Sequence, residues 1–222
     1  MTRLKPLYRF RRSGIPVDDR STEGRQENAQ TAILREYLLY VIKGISMYAH
    51  RARQLSITDD QIDTFAAEAL GAAVSDMEID EAQLDEILSK ATEIRARAKT
   101  LYEWACAPLS IKPEVLAGPA AMTLEASAQR ILSRDASGLI KPPRRVRRNT
   151  DRYLEKLCAK GIERSAADAA KKKTRGQSEK QVYAFLHEVL NTLTQDLSTE
   201  ELARLARRVE EEGCTGRNAQ SH

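Results

Sequence analysis

His50, His187, Cys106, Cys158 and Cys214 are the side chains best suited to move protons, hold metals or attack as nucleophiles. None has a neighbour in sequence that such chemistry needs. His50 stands just ahead of Arg51 and Arg53, so it reads either as a proton carrier or, more simply, as one more cation at a helix C-terminus. His187 has only Glu188 beside it and faces the same choice. Cys106 follows Trp104, and a cysteine without a patterned partner is commonly a small buried apolar residue. Cys158 and Cys214 add neither a metal-pair spacing nor a disulfide framework. The carboxylates Asp76, Glu78, Asp80 and Glu81 could gather a cation, yet they lack the spacing of a calcium loop. Acids collect at helix starts for dipole reasons anyway. No glycine-rich phosphate loop, catalytic serine motif or paired-carboxylate helix is present. The residues alone therefore point to no catalytic, cofactor-binding or metal-ligating position.

The basic clusters carry more information. Arg144, Arg145, Arg147 and Arg148 follow Lys141-Pro-Pro, and Lys171, Lys172, Lys173 and Arg175 form a second group. Arg9, Arg11 and Arg12 make a third. Dense like charge in an open segment suits a phosphate backbone or an acidic partner, with counterion release supplying affinity. No aromatic residues are interleaved for base stacking, and a solvated, self-repelling linker is the competing reading.

Bulk composition fits helices. Charged residues make up 31% and aromatics only 5%, while the 36 basic residues nearly cancel 32 acidic ones to leave a formal charge of +4. So mild an excess is weak evidence for nucleic acid. No run is long and apolar enough for a membrane span, and the basic start lacks the apolar core of a secretory signal. The acid-poor stretch from Arg3 to Arg12 has some character of a mitochondrial leader, but a reducing cytoplasm is the expected location.

The positioning elements centre on one stretch. In residues 28–55 the apolar positions Leu34, Leu38, Val41, Ile45, Tyr48, Ala52 and Leu55 alternate steps of four and three, placing them on one helical stripe. A second row of Ile33, Tyr37, Tyr40, Gly44 and Met47 widens it enough to face two neighbours. Gly44 costs about 1 kcal/mol relative to Ala inside a helix, so another backbone is expected to approach it. Thr58 with Gln61, and Asp80 with Gln83, read as capping boxes opening two further helices. Short connections make the three helices antiparallel neighbours. The fold class expected is all-α: an antiparallel three-helix bundle at 28–107 behind a basic arm at 1–27. A Pro-rich linker follows at 108–149, with a short helix from Thr123 to Arg134. A second helical region at 150–222 has a helix opened by Ser178 with Gln181. A last one, opened by Ser198 with Glu201, closes at Gly213 as a C′ glycine.

The blocks LREYLLYVIKGISMYAHRARQL, DDQIDTFAAEALGAAVSDMEID and LDEILSKATEIRARAK resemble the N-terminal helical domain of hybrid cluster proteins. These are prismane-type hydroxylamine reductases related to carbon monoxide dehydrogenase. The run from Tyr40 to His50 is the most specific part, and the likeness is read over residues 28–101. The resemblance implies an iron–sulfur protein, with four cysteines ahead of the spine helix and further Cys, His and Glu ligands in later domains. Here the stretch YRFRRSGIPVDDRSTEGRQENAQ has no cysteine, with Arg25 near the last expected place, and thiolates are what such clusters need. No cofactor is therefore expected in this chain, and no ligand carries over. The expected function is a non-catalytic interaction or oligomerisation module, docking on a protein partner or on itself through helix faces. One alternative is a truncated or split part of a hydroxylamine reductase-type oxidoreductase. Another is a basic helical protein contacting nucleic acid.

Overall fold

The computed structural model describes residues 21–74, 81–125, 127–136, 149–171 and 176–218, and among them every regular element is helical. In chain order these are α1 (Ser21–Gln54), α2 (Asp60–Val74), α3 (Glu81–Cys106), α4 (Ala128–Ala136), α5 (Asn149–Lys171), α6 (Gly176–Thr192) and α7 (Thr199–Asn218). Short 3-10 turns lie at Ala107–Leu109 and Gly118–Ala120. The all-α class expected from the periodicity is what the chain adopts.

α1 is the axis of the molecule. It packs on α2, α3, α4 and α6 and on the 118–120 turn. Every residue from Val41 to Ala49 is buried, on all sides of the helix rather than along one stripe. A helix surrounded in this way needs apolar or small side chains around its whole circumference, and Val-Ile-Lys-Gly-Ile-Ser-Met-Tyr-Ala supplies them except at Lys43 and Ser46. The expected close approach at Gly44 is present. A Cβ there would stand 2.5 Å from the Pro119 carbonyl oxygen and 2.8 Å from its carbon, so the 118–120 backbone rests directly on the spine.

α5 packs on both α6 and α7, α6 also on α1 and α5 also on α2, and Arg208 of α7 reaches Glu188 of α6 at 2.6 Å. One continuous core results, running from Leu38, Val41 and Ile45 through Leu70 and Leu88 to Ile162, Leu186 and Val209.

Several boundaries differ from the sequence expectations. α1 begins at Ser21, so residues 21–27 are helical and not part of the arm. α2 is capped by Asp59 rather than Thr58: Asp59 Oδ1 accepts from the backbone N–H of Gln61 at 2.9 Å and of Ile62 at 3.4 Å. That single oxygen takes two of the orphan donors at the start of α2. α4 starts at Ala128, not Thr123, its first free N–H bound by Asp85 Oδ1 at 2.6 Å. α6 starts at Gly176, ahead of Ser178. α7 runs through Gly213 to Asn218, so that glycine is interior and not a C′ cap. The Ser198–Glu201 box is formed as expected: Glu201 Oε2 accepts from the Ser198 backbone at 2.7 Å, and Ser198 Oγ accepts from the Glu201 N–H at 3.3 Å. The arm up to residue 20 and the breaker stretch after Ala136 lie outside the described residues, as do the Ile79–Asp80 cap and the chain end after Asn218.

Candidate functional site

Chemistry-bearing side chains converge on two places, both against the buried centre of α1. In the first, His187 of α6 is wholly buried. Its Nε2 lies 3.0 Å from Asp63 Oδ1 on α2, and its Nδ1 lies 3.0 Å from Ser46 Oγ on α1. An ionised carboxylate accepts only, so Nε2 carries the proton and donates to Asp63. Nδ1 then accepts from the Ser46 hydroxyl. The second Asp63 oxygen takes an ion pair with Arg53 of α1. Ser46, His187 and Asp63 thus form a hydrogen-bonded line joining three helices.

Electrostatics hold the line in one protonation state. Burial pushes the His187 imidazole below the usual histidine range, and the Asp63 hydrogen bond and charge only partly oppose it, so the ring is neutral. Burial alone would raise the Asp63 carboxyl, but hydrogen bonds from His187 and Arg53 outweigh it and leave the group below the ordinary carboxylate value. The connectivity is that of a serine–histidine–acid triad, but all three side chains are closed in by packing. Nucleophilic work requires a reacting atom within reach of the hydroxyl, and Ser46 is 0% exposed. The line serves as an interhelix tie.

The second place pairs Lys43 of α1 with Glu155 of α5, both buried. Cys158 sits one turn along α5, fully buried, its thiol pushed up to about 11, chiefly by burial. Both ties therefore cross from α1 and α2 to the later helices.

His50 is half-buried, with its Nε2 3.2 Å from Gln54 Nε2. Burial chiefly lowers its affinity for a proton. Arg51 is not simply a dipole-favoured cation. It reaches Glu114 Oε2 at 2.7 Å and Asn191 Oδ1 at 3.2 Å, joining α1 to the segment after α3 and to α6. Cys106 is buried at the end of α3 as a small apolar residue would be. The side chain of Cys214 lies outside the described residues, as do Asp76, Glu78 and Asp80 and the side chain of Glu81. The same holds for Arg9, Arg11, Arg12, Arg144, Arg145, Arg147, Arg148, Lys172, Lys173 and Arg175 and for the side chain of Lys171.

Sequence reasoning did not find Lys43, Ser46, Asp63 or Glu155. Each carried a signal: Lys43 and Ser46 interrupt the buried run of α1, Asp63 shares a stripe with Ala66, Leu70 and Ala73, and Glu155 one with Ala159, Ile162 and Ala166.

The thiols of Cys106 and Cys158 do not fit an iron–sulfur cluster. Such clusters are held by several thiolates together, while Cys106 and Cys158 sit on different helices, each free. Among the described residues, no group of three or more His, Cys, Asp and Glu is placed to hold a metal ion. Among them too, no helix is long and apolar enough to cross a membrane.

Comparison with known proteins explains the helical frame. A hydroxylamine reductase from Rhodospirillum rubrum is 32% identical over 169 residues, covering 76% of this chain and 31% of that protein. A hydroxylamine reductase from Geobacter metallireducens is 29% identical over 172 residues, covering 74% of this chain and 30% of its own length. The chain thus spans about a third of the length of these curated relatives. The Prismane/CO dehydrogenase family matches residues 27–216. That match extends the likeness beyond Leu101, through α5 and α6 and into α7. With so much of its length matched, this chain belongs to the Prismane/CO dehydrogenase family.

Proposed function

We propose that the chain is a prismane-type helical scaffold that holds no iron–sulfur cluster of its own and works through protein–protein contact, as an interaction or oligomerisation unit. One observation carries the reading: among the described residues, the fully buried groups able to do chemistry are used in holding helices together. His187, Asp63 and Ser46 saturate one another, Lys43 is matched by Glu155, and the Cys158 thiol is buried and protonated. A reacting centre keeps at least one such group open to a substrate or ligand. On this reading the chain works in the cytoplasm. The test is the full chain, purified without oxygen and supplied with hydroxylamine and a reduced dye. The expected result is no hydroxylamine consumption above the dye-only control, and turnover would sink the proposal.

The likeness to hydroxylamine reductases favours a second reading. Here the chain is a truncated or split part of an oxidoreductase of that type, with the metal-bearing portion supplied separately. The 32% identity over three quarters of this chain, set against less than a third of the relative, is what supports it. Iron-dependent activity that appears only when a companion carrying the missing portion is added would favour it over the first.

A further inference from the structure

α5 carries its charges differently from its neighbours. Arg152, Lys156, Lys160 and Arg164 follow one another at four-residue steps along a continuous helix, so they share one face. That face lies opposite the buried row of Glu155, Ala159, Ile162 and Ala166. Arg152, Lys156 and Arg164 are exposed, and Lys160 between them is half-buried. Tyr153 stands on the same face, 59% exposed.

The row is unmatched. Among the described residues, no carboxylate pairs with Arg152, Lys156 or Arg164. Of the acids on α5, Glu155 is turned inward onto Lys43, and Asp151 accepts from Thr199 of α7 at 2.6 Å. Glu163 leans onto α2, its Oε1 3.7 Å from where a Cβ on Gly71 would stand. Asp168 lies one turn past the end of the row. Other helices match their charges at this spacing. On α7, Glu200 stands 3.8 Å from Arg204, and Arg208 reaches Glu212 at 2.8 Å. On α3, Lys99 lies 3.8 Å from Glu103. Opposite charges four residues apart strengthen a helix and like charges weaken it. α5 keeps three repulsive steps in succession, which an anion laid along the face would relieve.

Charge along the chain points the same way. Residues 141–175 hold thirteen basic and four acidic side chains, in a chain whose formal charge is only +4. The rest of the sequence is therefore net acidic, and the positive excess is gathered in α5 and the stretches next to it. The face also selects among anions. The helix advances about 6 Å between successive cations, comparable with the step between neighbouring phosphates on one strand. Tyr153 adds an exposed ring on which a base can stack, a contact that an acidic peptide would not use. Bases splayed out for stacking belong to single strands and not to the interior of a duplex.

We infer that this face of α5 binds single-stranded nucleic acid, with Arg152, Lys156 and Arg164 on phosphates and Tyr153 against a base. The inference goes beyond the interaction role proposed above and does not depend on it. The test is fluorescence anisotropy of a labelled single-stranded oligonucleotide of about 20 nucleotides, titrated with the full chain to about 100 µM at about 50 and about 200 mM salt. Binding is expected, and it should weaken as salt rises. Replacing Arg152, Lys156 and Arg164 together by Gln should weaken it at least tenfold at the lower salt. The same variant should lower the slope against log salt by about 2, at about 0.7 per phosphate contact. Tyr153→Ala should weaken binding at least fivefold while leaving that slope unchanged. Arg204→Gln, on the matched row of α7, should stay within twofold of wild type. Because the row is repulsive, the triple variant should melt no lower than wild type, which also shows that it is folded. No binding at the lower salt, binding indifferent to the triple variant or to Tyr153→Ala, or polyglutamate bound as tightly as the oligonucleotide would each overturn the inference.

Discussion

His187 of α6 donates from Nε2 to Asp63 Oδ1 of α2 across 3.0 Å, in a position with no solvent exposure at the ring. That bond decides how the molecule responds to acid. Burial chiefly holds His187 below its ordinary value of 6.5, so the folded protein binds this proton less readily than the unfolded chain does. The stabilisation is fully present above pH 6.5 and is lost as the pH falls from there toward the folded value. His50, lowered in the same direction, adds to the slope. Asp63 is also lowered, from 3.8, so its contribution is present above that pH and is lost below it. Denaturation midpoints should be flat from pH 8 to 7, fall below pH 6.5, and fall again below 3.8. His187→Gln should reduce the first fall, leaving the part due to His50, and leave the second.

Removing the acid of this line should cost more than removing its base. Asp63→Ala strands the Arg53 guanidinium and leaves the His187 N–H without an acceptor, and an orphaned buried charge costs about 3–5 kcal/mol. His187→Gln can still donate to Asp63 and should cost less, about 1–3 kcal/mol. Urea unfolding of the two variants orders them, and equal losses would mean that the Arg53–Asp63 pair is not buried as described.

The Lys43–Glu155 tie makes a separate prediction. Either Lys43→Met or Glu155→Leu alone should destabilise by about 3–5 kcal/mol, because each removes one half of a buried ion pair. The double replacement should recover most of that loss, since apolar side chains of similar size can fill the same space. A double-mutant cycle with no coupling would contradict the pairing.

Gly44→Ala tests the contact that fixes the 118–120 turn. Ala is favoured over Gly within a helix by about 1 kcal/mol. Its Cβ would nevertheless meet the Pro119 carbonyl at 2.5 Å, and backbone cannot swing aside as a side chain can. Overpacking of about 1–3 kcal/mol should win, so the expected result is a lower melting temperature. A higher one would show that the turn is free to move.

The long elements were legible because their periodicity is set by burial. The stripe through Leu34, Leu38, Val41 and Ile45 could serve only a helix, and the Ser198–Glu201 box could only open one. Gly44 was informative because a glycine inside a good helix needs a reason. Short elements and boundaries were harder. Asp59 rather than Thr58 caps α2 because the helix begins at Asp60, and nothing in the spacing distinguishes the two. The interhelix ties were missed because their members lie far apart in the chain, as Ser46, Asp63 and His187 do. A polar residue on an apolar stripe signals a partner without saying which one. That α5 to α7 belong to the same family frame was not visible after Pro142, where the apolar pattern is weaker.

The family frame is held together here by interhelix pairing, and the central proposal is that the chain holds no cluster of its own. Iron and sulfide measured on the full chain, purified without oxygen after expression with ample iron, test it most directly. The account predicts a colourless protein with iron far below one atom per chain. Stoichiometric iron and sulfide, with the visible absorbance of a thiolate-bound cluster, would contradict it.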